Sequence, residues 1–210
     1  MTEKNIVELR ETVKASLSGK RSFHTLAVEQ MAMRLGQIYA PDEINTLRAA
    51  ALLHDITKEF KTDEQLKLCE VYGIKLTDND ILAPKTLHAR TAAEKIKRDF
   101  TDFADQKIID AVRWHTTGRA GMSITEKLIY LADYIDDSRK FEDCVKLRDF
   151  FFNFDFDSAN DKEKLAHLRD TLILSYDMTI SALLDSGVPV AKETFDARNE
   201  LVCEKLKANL

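Results

Sequence analysis

The adjacent pair His54 and Asp55 is the part of this chain whose residue types point most directly to chemistry. The pair follows an apolar run at residues 49–53, and Lys58 comes shortly after it. Imidazole nitrogens and carboxylate oxygens are common ligands of transition metals. Neighbouring side chains on a helix diverge by about 100°, so the pair can reach one ion or two adjacent ions. Because a bound metal ion activates water, we interpret the pair as part of a hydrolytic metal site.

Further candidate ligands are dispersed along the chain. Three more histidines each lie on the apolar stripe of a helical pattern, and Asp133 follows Ile129 at the i+4 spacing. One such histidine is more often a hydrogen-bonded core residue than a ligand. Burying four of them together with two aspartates would be costly without a metal ion or a polar network. The candidate ligands are therefore His24, His54, Asp55, His88, His115 and Asp133.

Lys58 is the candidate for contact with a substrate. It follows His54 at the i+4 spacing, so a continuous helix would place both side chains on one face. A cation in that position would meet the oxygens of a substrate bound at the metal site. The alternative is a surface lysine that pairs with Asp55 or Glu59.

Three other polar residues and one aromatic segment have less definite interpretations. Asp136 either supports a ligand or faces solvent, whereas Asp137 and His167 are expected to face solvent. Segment 151–160 alternates Phe with Asp and Asn, and it is predicted to be a loop with aromatic anchors. No functional role is assigned to it.

The composition suits one globular domain. The chain has 210 residues, of which 44% are hydrophobic and 32% charged, with only six glycines and three prolines, which favours helices. The formal net charge of −5 argues against nucleic-acid binding. Three scattered cysteines without a Cys-x-x-Cys pair argue against a zinc ribbon or a disulfide framework. The same cysteine pattern suits a reducing cytoplasm, which is the expected location. No signal peptide or membrane span is visible in the sequence.

The hydrophobic periodicity predicts about ten helices and no strand. A capping box at residues 123–126 is expected to begin the helix that carries Asp133. The helix that begins at Pro41 is expected to include His54 on its apolar stripe. The other predicted helices lie at about residues 6–17, 24–38, 88–96, 103–115, 142–150, 162–184 and 194–206, with one around residues 66–69 that ends at Gly73.

The ordered set of histidines and aspartates resembles the HD-domain phosphohydrolase superfamily. His88 and His115 resemble the branch of it that can hold two metal ions. Longer motifs are similar to the YqeK family, and this resemblance covers nearly all of the chain from Arg21 to Leu206. One departure is Ala89, where family members commonly have glycine after the histidine; the added methyl group could narrow the approach to the metal. The matching motifs are residues 54–58, 114–118 and 132–135, then Arg139, Phe141 and residues 194–199.

The resemblance implies a fold and an activity. The fold is an all-α HD-domain helical bundle with a metal site between core helices. It forms a single domain over residues 1–210, with helical extensions at 1–20 and 160–210. The activity is symmetrical hydrolysis of diadenosine tetraphosphate to two ADP by metal-activated water. One or two iron ions are implied as cofactor, manganese or zinc being alternatives. The substrate is a small-molecule nucleotide, and a homodimer is left open.

The resemblance also assigns roles to residues. His24, His54, Asp55 and Asp133 would hold the main ion, and Asp55 would bridge to a second ion held by His88 and His115. Asp55 and Lys58 are the catalytic candidates. For Arg198 an ordinary charge on the helix surface is the alternative. The candidate substrate-binding residues are Ala27, Lys58, His88, His115, Thr116, Arg139, Thr194, Arg198 and Asn199.

Other function classes remain open from the sequence. One is a different metal-dependent enzyme on the same scaffold, either a nucleotide phosphohydrolase with another substrate or a diiron oxygenase. The other is a regulatory module that binds nucleotides without turnover, against which the intact set of candidate ligands counts.

Overall fold

The structure, a computed structural model, describes residues 2–208, and within this range every regular element is helical. The predicted all-α class is therefore confirmed. Residues 2–208 contain eleven α-helices. Three of the connections between them contain a 3₁₀ helix, at Pro41–Glu43, Pro84–Thr86 and Thr101–Phe103. The α-helices are α1 (Glu3–Ser16), α2 (Gly19–Tyr39), α3 (Ile44–Leu53), α4 (Thr62–Val71), α5 (Asp78–Leu82), α6 (Leu87–Asp99), α7 (Gln106–Trp114), α8 (Ile124–Ile135), α9 (Glu142–Phe152), α10 (Asp161–Asp185) and α11 (Lys192–Ala208).

Helix α3 lies at the centre of the bundle, in contact with α1, α2, α7 and α8. Residues 47–53 of this helix are all buried, and three of them are alanines, which let neighbouring helices approach closely. Gly36 of α2 serves the same purpose, because a Cβ atom there would lie 2.7 Å from side-chain atoms of Ile44 and Leu47. The apolar run before His54 is thus the core of the bundle, and it places the His-Asp pair at the end of the central helix.

The N-terminal helix is attached by buried ion pairs. Glu29 of α2 is fully buried and accepts hydrogen bonds from Arg10 of α1 and Arg48 of α3. Arg48 also pairs with Glu3. At the other end, α11 packs on α10. The assignment of both ends as extensions of a single domain stays a prediction.

The helix boundaries correct three predictions. Helix α3 ends at Leu53, so His54 and Asp55 follow the helix instead of lying within it. The chain tightens there to i→i+3 hydrogen bonds, such as Lys58 N to Asp55 O at 2.9 Å, which is a common way to satisfy groups at a helix end. The helix predicted for 103–115 begins only at Gln106. The short α5 was not predicted at all.

The aromatic segment after α9 also differs from its prediction. Phe151 belongs to α9 and is fully buried, so the loop begins two residues later than expected. His167, predicted to face solvent, is half-buried, with its ring stacked on Phe154 at a centroid distance of 4.2 Å. Its Nε2 atom donates a hydrogen bond to the carbonyl oxygen of Phe151 at 2.9 Å. His167 therefore anchors the loop to α10.

The capping box at the start of α8 is confirmed, with Ser123 and Glu126 capping each other's backbone N–H groups. Among residues 2–208, no helix is both long and apolar enough to span a membrane.

Candidate metal centre

Three histidines come from different parts of the bundle but share one local arrangement. His54 follows α3, His88 is the second residue of α6, and His115 follows α7. Each directs its Nδ1 atom to the carbonyl oxygen three residues earlier, at 2.6, 2.7 and 2.7 Å respectively. Because Nδ1 carries the proton in these bonds, Nε2 is left as a lone-pair donor that points inward, which is the state a metal ion requires.

Asp55 lies between two groups of histidines. Its Oδ2 atom is 3.4 Å from Nε2 of His54 and 3.8 Å from Nε2 of His24. Its Oδ1 atom is 3.2 Å from Nε2 of His88 and 3.7 Å from Nε2 of His115. The two oxygens of one carboxylate thus face two separate sets of nitrogen atoms, which is the geometry of a bridging ligand.

Asp133 completes the first group from α8. Its Oδ1 atom is 3.0 Å from Nε2 of His24 and 3.7 Å from Nε2 of His54. The other ring nitrogen of His24, Nδ1, lies 3.4 Å from Oδ2 of Asp136 and 3.2 Å from the hydroxyl oxygen of Ser138. Asp136 is fully buried, so it orients His24 and does not face solvent.

Two features of the cluster fit a cation. Nε2 of His54 is buried and has no hydrogen-bond partner in the described part of the chain. The Nε2 atoms of His88 and His115 lie 3.1 Å apart, although both carry lone pairs when Nδ1 holds the proton. A buried polar atom without a partner is costly, and a divalent ion among these atoms removes both costs. The ligand atoms form two groups, and within each group they lie within 4.8 Å of one another. The first group is His24, His54 and Asp133, and the second is His54, Asp55 and His115.

The electrostatics follow from burial and from the opposite charges in the cluster. Burial alone would raise the pKa of the Asp55 carboxyl, but His54, His115 and His88 hold this pKa well below its ordinary value. Burial lowers the pKa of His88 to about 4, which keeps its ring neutral at neutral pH. Burial also lowers the pKa of His115. His24 differs, since burial opposes charge but Asp133 and Asp136 raise its pKa to about 9.

The turn that carries the His-Asp pair is fixed by a buried network of uncharged groups. The Thr57 hydroxyl donates to the carbonyl oxygen of His88 at 2.9 Å, and Gln65 of α4 donates to the carbonyl oxygen of Thr57 at 2.5 Å. Thr91 of α6 donates to the side chain of Gln65 at 2.7 Å. This network holds the turn after α3 against α4 and α6, and so it sets the distance between Asp55 and His88.

Two arginines contact the carboxylates of the cluster. Arg21, in the first turn of α2, lies 2.5 Å from Oδ2 of Asp55, and Arg139 lies 2.5 Å from Oδ1 of Asp133. The sequence analysis predicted Arg139 as a nucleotide contact and not as a partner of Asp133, and its role as a nucleotide contact stays a prediction. Arg21 was missed as a site residue. Its position three residues before His24, on the same helical face, was the available signal.

Lys58 approaches the second histidine group. Its Nζ atom lies 3.2 Å from Nε2 of His88 and 3.3 Å from Nδ1 of the same ring. Burial lowers the pKa of Lys58. The prediction that Lys58 shares a helical face with His54 was wrong, because α3 ends at Leu53. The turn that follows α3 nevertheless brings the Lys58 side chain to the cluster.

Cavities open on two sides of the cluster and are joined by a third. One of about 430 Å³ is lined by His115, Asp133 and Arg139, and one of about 280 Å³ by Lys58 and His88. A cavity of about 410 Å³ borders both of them. It shares Thr116 and Thr179 with the first, and Thr62, Pro84 and Lys85 with the second.

The predicted substrate-binding residues are distributed unequally around these cavities. Thr116 and Thr194 line the 410 Å³ cavity, and the hydroxyl of Thr116 is buried without a partner in residues 2–208. Arg198 instead pairs with Asp177 at 2.5 Å and contacts Asn199 at 3.3 Å, and it lines none of these three cavities. Ala27 lies on α2 one turn after His24. The roles of Ala27, Arg198 and Asn199 stay predictions, and so does the effect of Ala89, which is fully buried.

Comparisons with known proteins show which family the chain resembles. The HD domain family model matches residues 21–137. A protein of Halalkalibacterium halodurans named symmetrical bis(5'-nucleosyl)-tetraphosphatase is 31% identical over 93% of this chain and 96% of its own length. A Bacillus subtilis protein of the same name is 32% identical over 94% of this chain and 98% of its own length.

A solved structure has the same fold. It is that of a Clostridium acetobutylicum protein described as a predicted HD superfamily hydrolase involved in NAD metabolism. Its TM-score is 0.80 at 30% identity, covering 97% of this chain and 99% of that one. The family match spans all the metal-ligand candidates, from His24 to Asp133, so the chain belongs to the HD-domain family.

Proposed function

We propose that this protein hydrolyses dinucleoside tetraphosphates symmetrically, releasing two ADP from diadenosine tetraphosphate. The observation that carries the proposal is the pair of cavities beside the ligand cluster, joined by a third, with Lys58 lining one and Arg139 lining the other. A chain of four phosphates has negative charge along its whole length, and cations in both cavities would balance it. The similar proteins named symmetrical bis(5'-nucleosyl)-tetraphosphatase support the choice of substrate.

The residues have distinct roles in this proposal. His24, His54, Asp55 and Asp133 would hold the main divalent ion, and Asp55 would share a second ion with His88 and His115. A bound divalent ion supplies an acidified water and positive charge beside the phosphoryl oxygens. We propose iron as this ion; manganese and zinc are the alternatives that the same imidazole and carboxylate ligands accept. A homodimer stays a prediction.

The chain's own cations act on the substrate. Lys58 neutralises charge that develops on the phosphoryl oxygens next to His88. Arg139 holds Asp133 in place through their ion pair and lines the neighbouring cavity. The Thr116 hydroxyl has hydrogen-bonding capacity for the nucleotide, because it has no protein partner among residues 2–208.

The experiment that tests the function is product analysis with a mixed substrate. We expect the protein, loaded separately with iron, manganese or zinc, to cleave adenosine-guanosine tetraphosphate into ADP and GDP in at least one metal form. Hydrolysis in oxygen-18 water should place one heavy oxygen in one of the two diphosphates. Mass spectrometry of the separated products reads this directly. Nucleoside monophosphate paired with triphosphate, or no hydrolysis with any of the three metals, would refute the proposal.

Replacing Lys58 by Ala should slow turnover without removing metal. One charge-assisted phosphate contact is lost, for which we expect roughly a tenfold fall in kcat/KM. Steady-state kinetics on diadenosine tetraphosphate and elemental analysis measure the two quantities. Lys67→Ala is the matched control, because Lys67 is an exposed lysine on α4 outside the cavities that border the cluster. Equal kinetics in the two variants would exclude Lys58 as a phosphate contact.

A further inference from the structure

A further cavity of about 350 Å³ is lined by Trp114, which precedes the candidate ligand His115, and it is rich in cations. It is formed where α6, α7 and the start of α11 meet the segment around α5. Its lining also includes the hydroxyl-bearing residues Thr77, Thr86 and Thr117. The charged residues that line it are Lys75, Arg90, Arg113 and Lys192, with Asp80 and Glu193 as the carboxylates.

Arg113 is a partly buried cation in this cavity, and it has no counter-ion among the described residues. Its guanidinium lies over the ring of Trp114, 4.1 Å from the centroid, and makes no hydrogen bond or ion pair to other described residues. An arginine side chain stays charged at neutral pH even where burial disfavours the charge. A desolvated charge without a partner is unfavourable, whereas a guanidinium fixed on an aromatic face is well oriented to bind an anion.

The carboxylates of the cavity leave this charge uncompensated. Asp80 is occupied by Arg90, at 2.9 Å, and by the backbone N–H of Thr77, at 2.8 Å. Glu193 attracts Arg113 without forming an ion pair with it. Arg90 donates a further bond to the carbonyl oxygen of Lys75 at 2.6 Å, so its position is fixed. The cavity thus presents an excess of positive charge although the whole chain is acidic.

The cavity adjoins the 410 Å³ cavity that borders the candidate metal ligands. Thr117 and Thr86 line both this cavity and the 410 Å³ cavity that borders the cluster. Trp114, which supports Arg113, directly precedes the candidate ligand His115. A ligand held here therefore sits against the same turn that carries a metal ligand.

We propose that this cavity is a second phosphate-binding site, in which Arg113 and Arg90 bind a phosphate group of a nucleotide. The phosphate comes either from the half of the dinucleotide remote from the metal ions or from a separate phosphate compound. Only the first source rests on the proposed function. A planar guanidinium forms two parallel hydrogen bonds to phosphate oxygens.

The test uses a probe that the chain contains. Trp114 is the only tryptophan, so its emission reports directly on this cavity. We expect saturable changes in emission when inorganic pyrophosphate is titrated into the metal-loaded protein. The same titration is repeated with Asp55→Asn protein, in which the candidate metal site is disrupted. A similar change in emission there shows that the signal does not arise from pyrophosphate bound at the metal ligands. Arg113→Met should weaken pyrophosphate binding by roughly tenfold, the scale for a lost charge-assisted bond, and Arg113→Lys should weaken it less.

The control is Arg98→Met, since Arg98 also lies over an aromatic ring, that of Tyr72 at 4.7 Å, but does not line the cavity. Its pyrophosphate affinity should equal that of the unmodified protein. The absence of a saturable change, or equal affinity in Arg113→Met and Arg98→Met, would overturn the proposal. Thermal melting of both variants confirms that they are folded.

Kinetics then separate the two sources of phosphate. A roughly tenfold rise in KM for diadenosine tetraphosphate in Arg113→Met, with kcat unchanged, identifies the remote half of the substrate. An unchanged KM with weakened pyrophosphate binding identifies a separate phosphate compound, and either result supports the site. Saturable pyrophosphate binding in a protein that hydrolyses no dinucleotide would refute the proposed function but retain the site.

Discussion

Asp55→Asn is expected to lower kcat for the dinucleotide by roughly a thousandfold or more, equivalent to about 4 kcal/mol of transition-state stabilisation. Asparagine keeps the shape of the side chain but removes its charge and one of its two acceptor oxygens. Both oxygens are needed, because Oδ2 faces His54 and Oδ1 faces His88. The variant should also bind fewer metal ions, since the amide NH₂ cannot serve as a ligand. Steady-state kinetics and elemental analysis of the purified variant measure both effects.

Asp137→Asn is the matched control for this substitution. Asp137 is exposed and pairs at the surface with Arg34 at 3.3 Å, and a surface ion pair of this kind contributes little. The control should retain the metal content and activity of the unmodified protein. Unchanged metal content in Asp55→Asn would mean that the bridging geometry does not reflect metal binding.

The histidines of the candidate metal centre could be predicted because each lies on the apolar stripe of a helical pattern, although α3 and α7 end just before His54 and His115. Burial of His54, His88 and His115 is a local consequence of periodicity, and the structure brings these three rings together. The sequence could not tell where α3 ends, because nothing in residues 54–58 breaks a helix. The switch to i→i+3 bonds depends on partners from α4 and α6, which are distant in sequence.

The residues around the candidate ligands were harder to predict, because their partners are also distant in sequence or visible only in the fold. Asp136 was left open, since a negative charge near a helix C-terminus is unfavourable by itself. Its burial is offset by Ser138, whose backbone N–H donates to it at 2.8 Å, and by His24. Arg21 likewise resembles any charged residue in a first helical turn. Only the folded chain shows that it contacts Asp55.

Gly118→Ala is expected to destabilise the protein by about 2–5 kcal/mol, combining left-handed backbone strain with overpacking. Gly118 has φ +63°, and a Cβ atom there would lie 1.9 Å from the hydroxyl oxygen of Tyr176. Tyr176 is fully buried against Tyr130, with ring centroids 4.7 Å apart, so it has little room to move. Gly118 also closes the turn that carries His115, through its N–H bond to Trp114 O at 2.8 Å. Urea denaturation measures the free energy of unfolding.

Gly121→Ala separates the two causes of this destabilisation. Gly121 also has a positive φ, +70°, but a Cβ atom there would meet nothing within 4 Å. This control should therefore lower the free energy of unfolding only by the backbone strain, about 1–2 kcal/mol. Adding Tyr176→Phe to Gly118→Ala removes the clashing oxygen and should recover part of the difference. Because the turn positions His115, Gly118→Ala should also weaken metal binding, whereas Gly121→Ala should not. Equal free energies of unfolding in the two alanine variants would show that contact with Tyr176 does not explain why glycine occupies position 118.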